Sequence, residues 1–353
     1  MKELKDMECF NGPLHQSDLS MLSRCERAFM FRYKWGLRPK LESRSGAAGL
    51  GQIFHKVVEY GEDRIEESKA WVKKQQQVLW EAVERGDDID GGIAISVKAM
   101  TDAYNKALAV AKIYWEQYPT PDYLETLATE EYIEGTTLRV AGTVDRLVRD
   151  KRDGRLWVRD WKTSSRNVEY IMTGYQWSIQ CKMYRILAHL WAEQHKEEYN
   201  IVNTEPVGFI VDGVQMPTIK FCKKDRDFDA YIERCKAWYK DNLKTAFISR
   251  AVIYQEPLMN VGIDNLLAKG GMMQEDTCVH IDSYPKDITA SYCTNYDRQC
   301  TYYDLCNSNE RLWPEIIDRK FKVVEPADNV NAPQGSNEVP TGKKVDKETG
   351  EVT

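Results

Sequence analysis

Apolar residues recur with a helical period over several long segments of the chain. This spacing predicts helices from Met21 to about Trp35, from Gln52 to about Glu84, and from about Ile93 to Gln117. The third helix is expected to stop at Tyr118-Pro119, because proline cannot continue a helix. The first third of the chain is therefore predicted to be mainly helical.

Alternating and β-branched apolar residues become frequent after this helical part. The segments that predict strands are Leu127–Gly135, Thr143–Arg149, Arg155–Lys162 and Ile201–Gly213, with Pro217–Phe221 as the hairpin partner of the last. Helical spacing returns from Tyr175 to about Glu197 and from Phe228 to about Thr245. Strands and helices that alternate in this way predict an α/β fold.

The second and third predicted strands are joined by a turn that contains Asp153-Gly154, a strong hairpin signal. If these two residues form the whole loop, Asp145 lies opposite Lys162 in the antiparallel pair. Because side chains alternate between faces with a period of two, Asp145, Asp160 and Lys162 then share one face. The two carboxylates become diagonal neighbours, about 7–8 Å apart at the backbone.

Two carboxylates this close repel each other, and the repulsion would raise the pKa of one of them. A divalent cation removes this conflict, and carboxylate oxygens are ligands that Mg²⁺ and Mn²⁺ prefer. The lysine beside them could polarise a phosphate or a water molecule. The pattern predicts a site for a metal ion and a phosphate group, and a solvated hairpin with a surface ion pair is the structural alternative.

The order G-x-x-D, then D-x-K, resembles the core of the PD-(D/E)XK nuclease superfamily in its RecB-like branch. Two helices add to the resemblance. GLGQIFHKVVE is similar to the family's G-x-x-x-H-x-x-x-E helix, and Gln180 with Tyr184 matches its Q-x-x-x-Y motif. The resemblance implies a metal site formed by His55, Asp145, Asp160 and the backbone carbonyl of Trp161. The catalytic residues that it implies are Asp145, Asp160, Lys162, Gln180 and Tyr184.

Nine cysteines occur in a chain whose first residues contain no apolar signal segment, which favours thiols or metal ligands over disulfides. One early cysteine and a late triplet resemble the four-cysteine [4Fe–4S] staple of RecB-like exonucleases, including CRISPR-associated ones. The residues concerned are Cys25, Cys293, Cys300 and Cys306. The gap of six residues after Cys293 is longer than the usual two, and tetrahedral zinc also accepts four cysteines. Zinc and unliganded thiols therefore remain the alternatives to an iron–sulfur cluster.

Basic and aromatic residues alternate in the first predicted helix, a combination that suits a phosphate backbone with stacked bases. The basic residues assigned to DNA binding are Arg24, Arg27 and Arg32, and a solvated helix face is the alternative. Glu130 and Glu131 precede the hairpin on opposite faces of their strand, so only one of them can point to the site. A structural role is the simpler interpretation for both.

The composition is that of an ordinary globular protein, with 42% hydrophobic and 29% charged residues among 353. The formal net charge is −6, so any basic surface that binds nucleic acid must be local. No run of eighteen apolar residues occurs, which predicts no membrane span and no membrane partner. We expect a cytoplasmic protein of a bacterial or phage-infected cell.

The resemblance implies a single nuclease domain over residues 17–323, between a leader (1–16) and a disordered tail (324–353). We expect a restriction-endonuclease-like core, a mixed sheet flanked by helices, over about 125–250. A helical N-terminal insertion (46–120) and a cluster-stapled C-terminal segment (290–310) complete the prediction.

The function implied by the resemblance is metal-dependent hydrolysis of DNA, by an exonuclease that acts on single strands or ends. Recombination, repair or phage DNA processing would be its setting. No P-loop sequence is present, so unwinding would need a helicase or recombination protein acting in trans. The alternative is a catalytically silent DNA-binding subunit stapled by iron–sulfur or zinc.

Overall fold

A computed structural model of the chain describes residues 12–40, 46–84, 92–135, 139–175, 177–254, 263–275, 284–285, 293–295 and 298–323. The chain forms two compact units. The sheet unit comprises Pro13–Ser20 and Leu41–Gly270, and the terminal unit comprises Met1–Gly12, Met21–Lys40 and Gly271–Thr353. The predicted leader up to residue 11 and the predicted tail from residue 324 lie outside the described residues.

The described elements follow one another as helices first and strands later. The helices are α1 (Gln16–Leu22), α2 (Glu26–Phe29, continued by a π-helical turn Met30–Lys34), α3 (Gly46–Tyr60), α4 (Ile65–Glu84), α5 (Gly92–Gln117), α6 (Glu169–Tyr175), α7 (Ile179–His195), α8 (Phe228–Ala246), α9 (Ile263–Glu275), α10 (Tyr303–Asn307) and α11 (Trp313–Lys320). The strands are β1 (Leu37–Pro39), β2 (Leu124–Glu134), β3 (Ala141–Asp150), β4 (Leu156–Ser164), β5 (Gly208–Gln215), β6 (Phe247–Ile253), β7 (Thr294–Asn295), β8 (Arg298–Gln299) and β9 (Phe321–Val323).

Five strands form the central sheet of the sheet unit, in the order β2-β3-β4-β5-β6. The neighbours are antiparallel except β4 and β5, which run parallel. One face carries the main apolar core, in which buried residues of α3, α5 and α8 surround Trp161 and Val214. On the other face, α7 approaches β3 so closely that a Cβ on Gly142 would lie 2.8 Å from Leu187. The predicted α/β fold with a mixed sheet between helices is confirmed.

Three predictions for the helical part were wrong in their boundaries. The helix predicted from Met21 to Trp35 is divided, since α1 ends at Leu22 and α2 begins at Glu26. The start of the second helix was predicted at Gln52, but α3 begins at Gly46. The predicted helix from Gln52 to Glu84 is interrupted at Gly61, whose φ of +81° leaves the helical region. A residue without Cβ adopts this conformation readily, so α3 ends there and α4 starts in a new direction after one 3₁₀ turn.

The β3–β4 hairpin has a longer loop than the sequence predicts. The amide of Asp150 donates to the carbonyl of Arg155 (2.9 Å), so the loop comprises residues 151–154 and ends on a glycine with φ of +73°. The register is consequently displaced by two residues from a two-residue loop. Because the side-chain period is also two, Asp145 and Asp160 still share a face.

The strand partner predicted for the segment from Ile201 to Gly213 was also wrong. Residues 217–221 contain no strand, and β5 pairs with β4 and β6 instead. The β4–β5 pair is a crossover connection through α6 and α7, and no local pattern indicates such a distant partner. The segment after β6, for which the sequence pattern predicted no element, contains the helix α9.

The terminal unit joins the N-terminal and C-terminal parts of the chain. Strand β1 pairs antiparallel with β9, from Leu37–Val323 to Pro39–Phe321. Aromatic rings fill its interior, and their centroid distances fall between 5.4 and 5.7 Å. The rings in this cluster are those of Phe31, Trp35, Tyr302, Trp313 and Phe321. Across the described part of the chain, no helix combines the length and apolar character that a membrane crossing requires.

Candidate active site

The candidate site lies where β3 and β4 separate. Their last ladder pair is Arg146–Arg159, and the next positions along the register would pair Asp145 with Asp160. Beyond this point β3 continues only beside β2, and β4 continues only beside β5. The two carboxylates therefore lie at the point where the two strands diverge, which we call the fork of the sheet. No further ladder pair joins β3 and β4 at these two positions.

Asp145 is the most heavily contacted carboxylate in the fork. Its Oδ1 accepts a hydrogen bond from the Tyr184 hydroxyl (2.7 Å), and its Oδ2 lies 3.2 Å from His55 Nδ1. The peptide N–H of Trp161 also donates to Oδ2 (3.4 Å). Burial alone would raise the pKa of Asp145, but the hydrogen bond and charge of His55 outweigh it and hold that pKa well below its ordinary range.

Asp160 is fully buried and is bound by different groups. The Tyr175 hydroxyl donates to its Oδ2 (2.5 Å), and Lys162 Nζ donates to its Oδ1 (2.8 Å). The same ammonium group also reaches the carbonyl of Trp161 (3.4 Å). Burial and the negative charge of Asp145 raise the pKa of Asp160. A cation beside the two carboxylates would offset the repulsion between them.

Glu130 adds a third carboxylate to the row. Ladder pairs lie on both sides of it, which places Glu130 on β2 opposite Asp145 on β3. Its backbone has a φ of +51°, a left-handed conformation that is strained for a residue with a Cβ. Burial and the charges of Asp145 and Glu59 raise the pKa of Glu130 to about 7. Sequence analysis gave this residue no role in the site.

His55, Glu130 and Asp145 form a group whose potential ligand atoms all lie within 4.8 Å of one another. One imidazole nitrogen and two carboxylate oxygens are ligands that Mg²⁺ and Mn²⁺ accept. The raised pKa of Glu130 has its origin in desolvation and like charge, which a cation at the centre of the group would relieve. These residues therefore fit a divalent metal ion.

Helix α3 brings His55 to the group through a close contact with β4. A Cβ on Gly51 would lie 3.0 Å from Thr163 Oγ1, so glycine lets the helix approach the strand. His55 lies one turn further along on the same side, with its ring edge-on to Trp161 at 6.4 Å. Burial lowers the pKa of His55, but the hydrogen bond and charge of Asp145 outweigh it and raise that pKa overall.

Helix α7 supplies the opposite wall of the site. Ser178 caps its N-terminus by accepting from the amide of Cys181 (3.1 Å). One turn in, Gln180 Nε2 donates to the Tyr184 hydroxyl (2.9 Å), and that hydroxyl in turn donates to Asp145. The predicted Gln180–Tyr184 pair therefore lies in the pocket with Asp145.

A buried polar network stands behind the site, on the face of the sheet that carries the main core. Arg159 Nε donates to Asp212 Oδ2 (2.6 Å), and the Tyr114 hydroxyl donates to the same oxygen (2.9 Å). The indole N–H of Trp161 donates to the Tyr114 hydroxyl (3.0 Å), and the guanidinium of Arg146 covers the Trp161 ring at 4.7 Å. The side chain of Trp161 is thus fixed while its peptide group faces Asp145 and Lys162.

The structure brings together most of the residues that sequence analysis assigned to the site. Among the described residues these are His55, Asp145, Asp160, Trp161, Lys162, Gln180 and Tyr184. Two contributors were missed. The only signal for Glu130 was its place before the hairpin, and its orientation depends on a backbone conformation that the alternation of residues does not encode. Tyr175 carried no signal, because it was assigned to the start of a longer helix α7.

The cysteines assigned to a cluster belong to the terminal unit. The amide of Cys300 donates to the carbonyl of Cys293 (2.8 Å), and Cys306 lies in α10. Burial raises the pKa of the Cys300 thiol, and the neighbouring Cys25 and Cys293 raise it further. Three of the four thiols are therefore close enough to interact. The described cysteines form no disulfide bond.

The arginines assigned to DNA binding also belong to the terminal unit. Arg27 Nε donates to the carbonyl of Tyr284 (2.8 Å), and Arg32 forms side-chain hydrogen bonds with Tyr33 and Tyr302. Arg24 is exposed. Arg27 and Arg32 thus have contacts inside the protein, and a role of the three residues in DNA binding stays a prediction.

Comparison with known proteins identifies one family. No curated protein matches the chain. The model of the PD-(D/E)XK nuclease superfamily matches residues 13–307, which include the helix of His55, the fork of β3 and β4, and the helix of Tyr184. The match covers most of the chain and agrees with an acidic site followed by a lysine on a central strand. The chain therefore belongs to the PD-(D/E)XK nuclease superfamily.

Proposed function

We propose that this protein is a metal-dependent deoxyribonuclease of the RecB-like branch, an exonuclease that acts on single-stranded DNA or DNA ends. The observation that carries the proposal is the group His55, Glu130 and Asp145, placed next to Asp160 and Lys162 at the fork of the sheet. Membership in a superfamily of nucleases gives this group its reaction class. Recombination, repair or phage DNA processing in the cytoplasm is the expected setting, with a helicase or recombination protein in trans.

The roles of the acidic residues follow from their contacts. His55, Glu130 and Asp145 would hold the divalent ion, Mg²⁺ or Mn²⁺, and Asp160 with the carbonyl of Trp161 would complete the site. When bound, the ion supplies Lewis-acid stabilisation of the phosphate and lowers the pKa of a coordinated water molecule. Tyr184 and Tyr175 keep Asp145 and Asp160 oriented through their hydroxyl groups.

The remaining polar residues act on the phosphate and on the strand. Lys162 sits beside Asp160 and either orients the attacking water or neutralises charge on the scissile phosphate. Gln180 donates a hydrogen bond to the Tyr184 hydroxyl within α7 and helps to position the DNA strand. Loss of one such electrostatic group typically lowers kcat by about 10²–10³-fold.

Digestion of end-labelled single- and double-stranded DNA tests the proposal, with Mg²⁺, Mn²⁺ or EDTA present. We expect metal-dependent cutting by the native protein and none by Asp160→Ala, which should still bind DNA. Asp153→Ala is the matched control, because Asp153 is an exposed residue of the same hairpin. Undiminished cutting by Asp160→Ala would contradict the assignment of the site. DNA binding without cutting in every metal would support the catalytically silent subunit instead.

We further propose that Cys25, Cys293, Cys300 and Cys306 hold a [4Fe–4S] cluster, with zinc as the alternative. Supporting observations are the interaction of Cys25 and Cys293 with Cys300, and the pairing of β1 with β9 in the same unit. Thiolates are the usual ligands of such clusters. The cluster would link the N-terminal and C-terminal segments of the terminal unit covalently.

A further inference from the structure

We propose that Trp177 is a stacking platform for an unpaired nucleobase of the strand bound in the active site. This inference rests on the proposed nuclease function and assigns a residue to its preference for single strands, because only a single-stranded segment can offer an unstacked base. Trp177 lies in the short connection between α6 and α7, and both helices place side chains in the fork of the sheet.

The connection is held to the site on both sides of Trp177. Two residues before it, Tyr175 donates to Asp160, and three residues after it, Gln180 donates to Tyr184. A chain extends at most about 3.6 Å per residue, so the Cα of Trp177 lies within about 7 Å of the Cα of Tyr175. The backbone of Trp177 is therefore close to the site, and the proposal places its indole beside a nucleotide next to a phosphate bound at Lys162.

Trp177 and Ser178, the two described residues of this connection, both form backbone hydrogen bonds. The amide of Trp177 donates to the carbonyl of Gly174 (3.2 Å), and the amide of Ser178 donates to the carbonyl of Tyr175 (2.9 Å). Ser178 then caps α7. Because the backbone of Trp177 is held in this way, a base that stacks on the indole needs to order mainly the side chain, which limits the loss of conformational entropy on binding.

The exposure of Trp177 distinguishes it from other aromatic residues at the surface. Its relative accessibility is 50%, whereas most tryptophans bury the large apolar area of the indole. Tyr123 and Phe221 are each 40% exposed, but Arg152 covers Tyr123 at 3.8 Å and Phe221 packs on Tyr231 at 5.5 Å. Among the described residues, Trp80 on α4 is the exposed aromatic most similar to Trp177, with 43% accessibility.

Stacking on an aromatic face explains how a protein with a net charge of −6 can hold a strand near three carboxylates. Each stacked base contributes binding free energy without adding positive charge, and every base has a π face, so the contact tolerates any sequence. A paired base in a duplex offers this face only after it has been unstacked, which costs free energy. The platform therefore favours single strands and frayed ends over intact duplex.

Binding measurements on the full-length protein test this inference. Fluorescence anisotropy in the Asp160→Ala background would give the Kd of a single-stranded DNA oligonucleotide and of a blunt duplex of the same sequence. We expect Trp177→Ala to weaken single-strand binding about tenfold or more, with little change for the duplex. Trp177→Phe should retain most of the affinity, and Trp80→Ala is the matched control that should retain all of it.

Abasic oligonucleotides separate stacking from a general loss of structure. Removal of the base that stacks on Trp177 should weaken binding by the protein that retains Trp177. The same removal should leave binding by Trp177→Ala unchanged, since the two changes remove the same contact. The inference would be overturned if Trp177→Ala weakened the binding of single strand and duplex equally. It would also be overturned if no abasic position reproduced the loss of affinity caused by Trp177→Ala. Tryptophan fluorescence that is quenched by single strands in the native protein but not in Trp177→Phe would support it.

Failure of the inference is distinguishable from failure of the proposed function. If the native protein cuts DNA with Mg²⁺ or Mn²⁺ and Trp177→Ala shows an unchanged KM for single strands, the platform is wrong and the nuclease stands. If the native protein cuts nothing, the nuclease proposal fails, and the abasic series still reports whether Trp177 binds a base.

Discussion

Asp145 and Asp160 occupy the first positions beyond the last hydrogen-bonded pair of β3 and β4. A continuous ladder would hold the two strands at a fixed spacing and fill the space between them with backbone hydrogen bonds. The ladder between β3 and β4 ends at the pair Arg146–Arg159, one position before the two carboxylates. Each carboxylate then accepts a hydrogen bond from a neighbouring helix. Tyr184 reaches Asp145 and Tyr175 reaches Asp160, so the fork converts two strand residues into a polar pocket.

The first prediction concerns Glu130, whose carboxylate lies within 4.8 Å of a ring nitrogen of His55 and a carboxylate oxygen of Asp145. Glu130→Gln should weaken Mn²⁺ binding by at least about tenfold, because the amide removes one negative charge from the cation site. Isothermal titration of the DNA-free protein with Mn²⁺ measures this directly. Glu131→Gln is the matched control, since Glu131 is the next residue along β2 and its side chain is exposed. Equal Mn²⁺ affinity in both variants would remove Glu130 from the metal site.

The second prediction concerns the contact of Gly51 with Thr163, which sets the approach of α3 to the sheet. Gly51→Val should lower the free energy of unfolding by about 1–3 kcal/mol, because the added atoms force the helix away from β4. Weaker Mn²⁺ binding should accompany the loss, since His55 moves with the helix.

Gly49 provides the control for this substitution. It lies in the same helix with no atom within 4 Å of a Cβ built on it, so Gly49→Ala should stabilise the protein by up to about 1 kcal/mol through helix propensity. Urea unfolding measures both changes. A destabilised Gly49→Ala, or a Gly51→Val protein of native stability, would show that the close contact does not position α3.

The third prediction concerns the buried ion pair of Arg159 and Asp212 behind the site. Asp212→Asn should destabilise the protein by about 3–5 kcal/mol, because it leaves the Arg159 guanidinium buried without its counter-charge. Arg226→Ala, which removes one partner of an exposed ion pair with Asp227, should leave the unfolding free energy nearly unchanged. Similar denaturation midpoints for Asp212→Asn and the native protein would contradict this account of the network.

The fourth prediction concerns the cluster. Protein purified without oxygen should be brown and contain about four iron atoms per chain. Cys300→Ser should lose colour and iron, whereas Cys222→Ser should keep both, because Cys222 is an exposed cysteine of the sheet unit. A colourless native protein that carries zinc would replace the iron–sulfur proposal by its alternative.

Local sequence patterns were sufficient for the class of fold and for most of the site. Alternation located β2, β3 and β4, and the shared face of Asp145 and Asp160 was preserved even though the predicted loop was too short. An error of two residues in register leaves every side chain on its face, whereas an error of one would have reversed them. The shared face was therefore predicted correctly because side chains alternate with a period of two, although the length of the turn was predicted incorrectly.

The failures have a different physical origin. The pairing of β5 with β4 spans two intervening helices, and Pro217–Phe221 was chosen only because it is near in sequence. Glu130 depends on a backbone strain that tertiary contacts impose, and residue patterns do not report φ. Long-range pairing and local strain are both decided by the completed fold.

The pairing of β1 with β9 has a consequence for the order in which the protein forms during synthesis. Leu37 leaves the ribosome early, but its partner Val323 is added only after the whole sheet unit has been translated. At typical elongation rates this delay is on the order of 15–60 s. Nascent chains arrested before Phe321 should accordingly keep the region of β1 sensitive to protease, because its strand partner has not yet been synthesised.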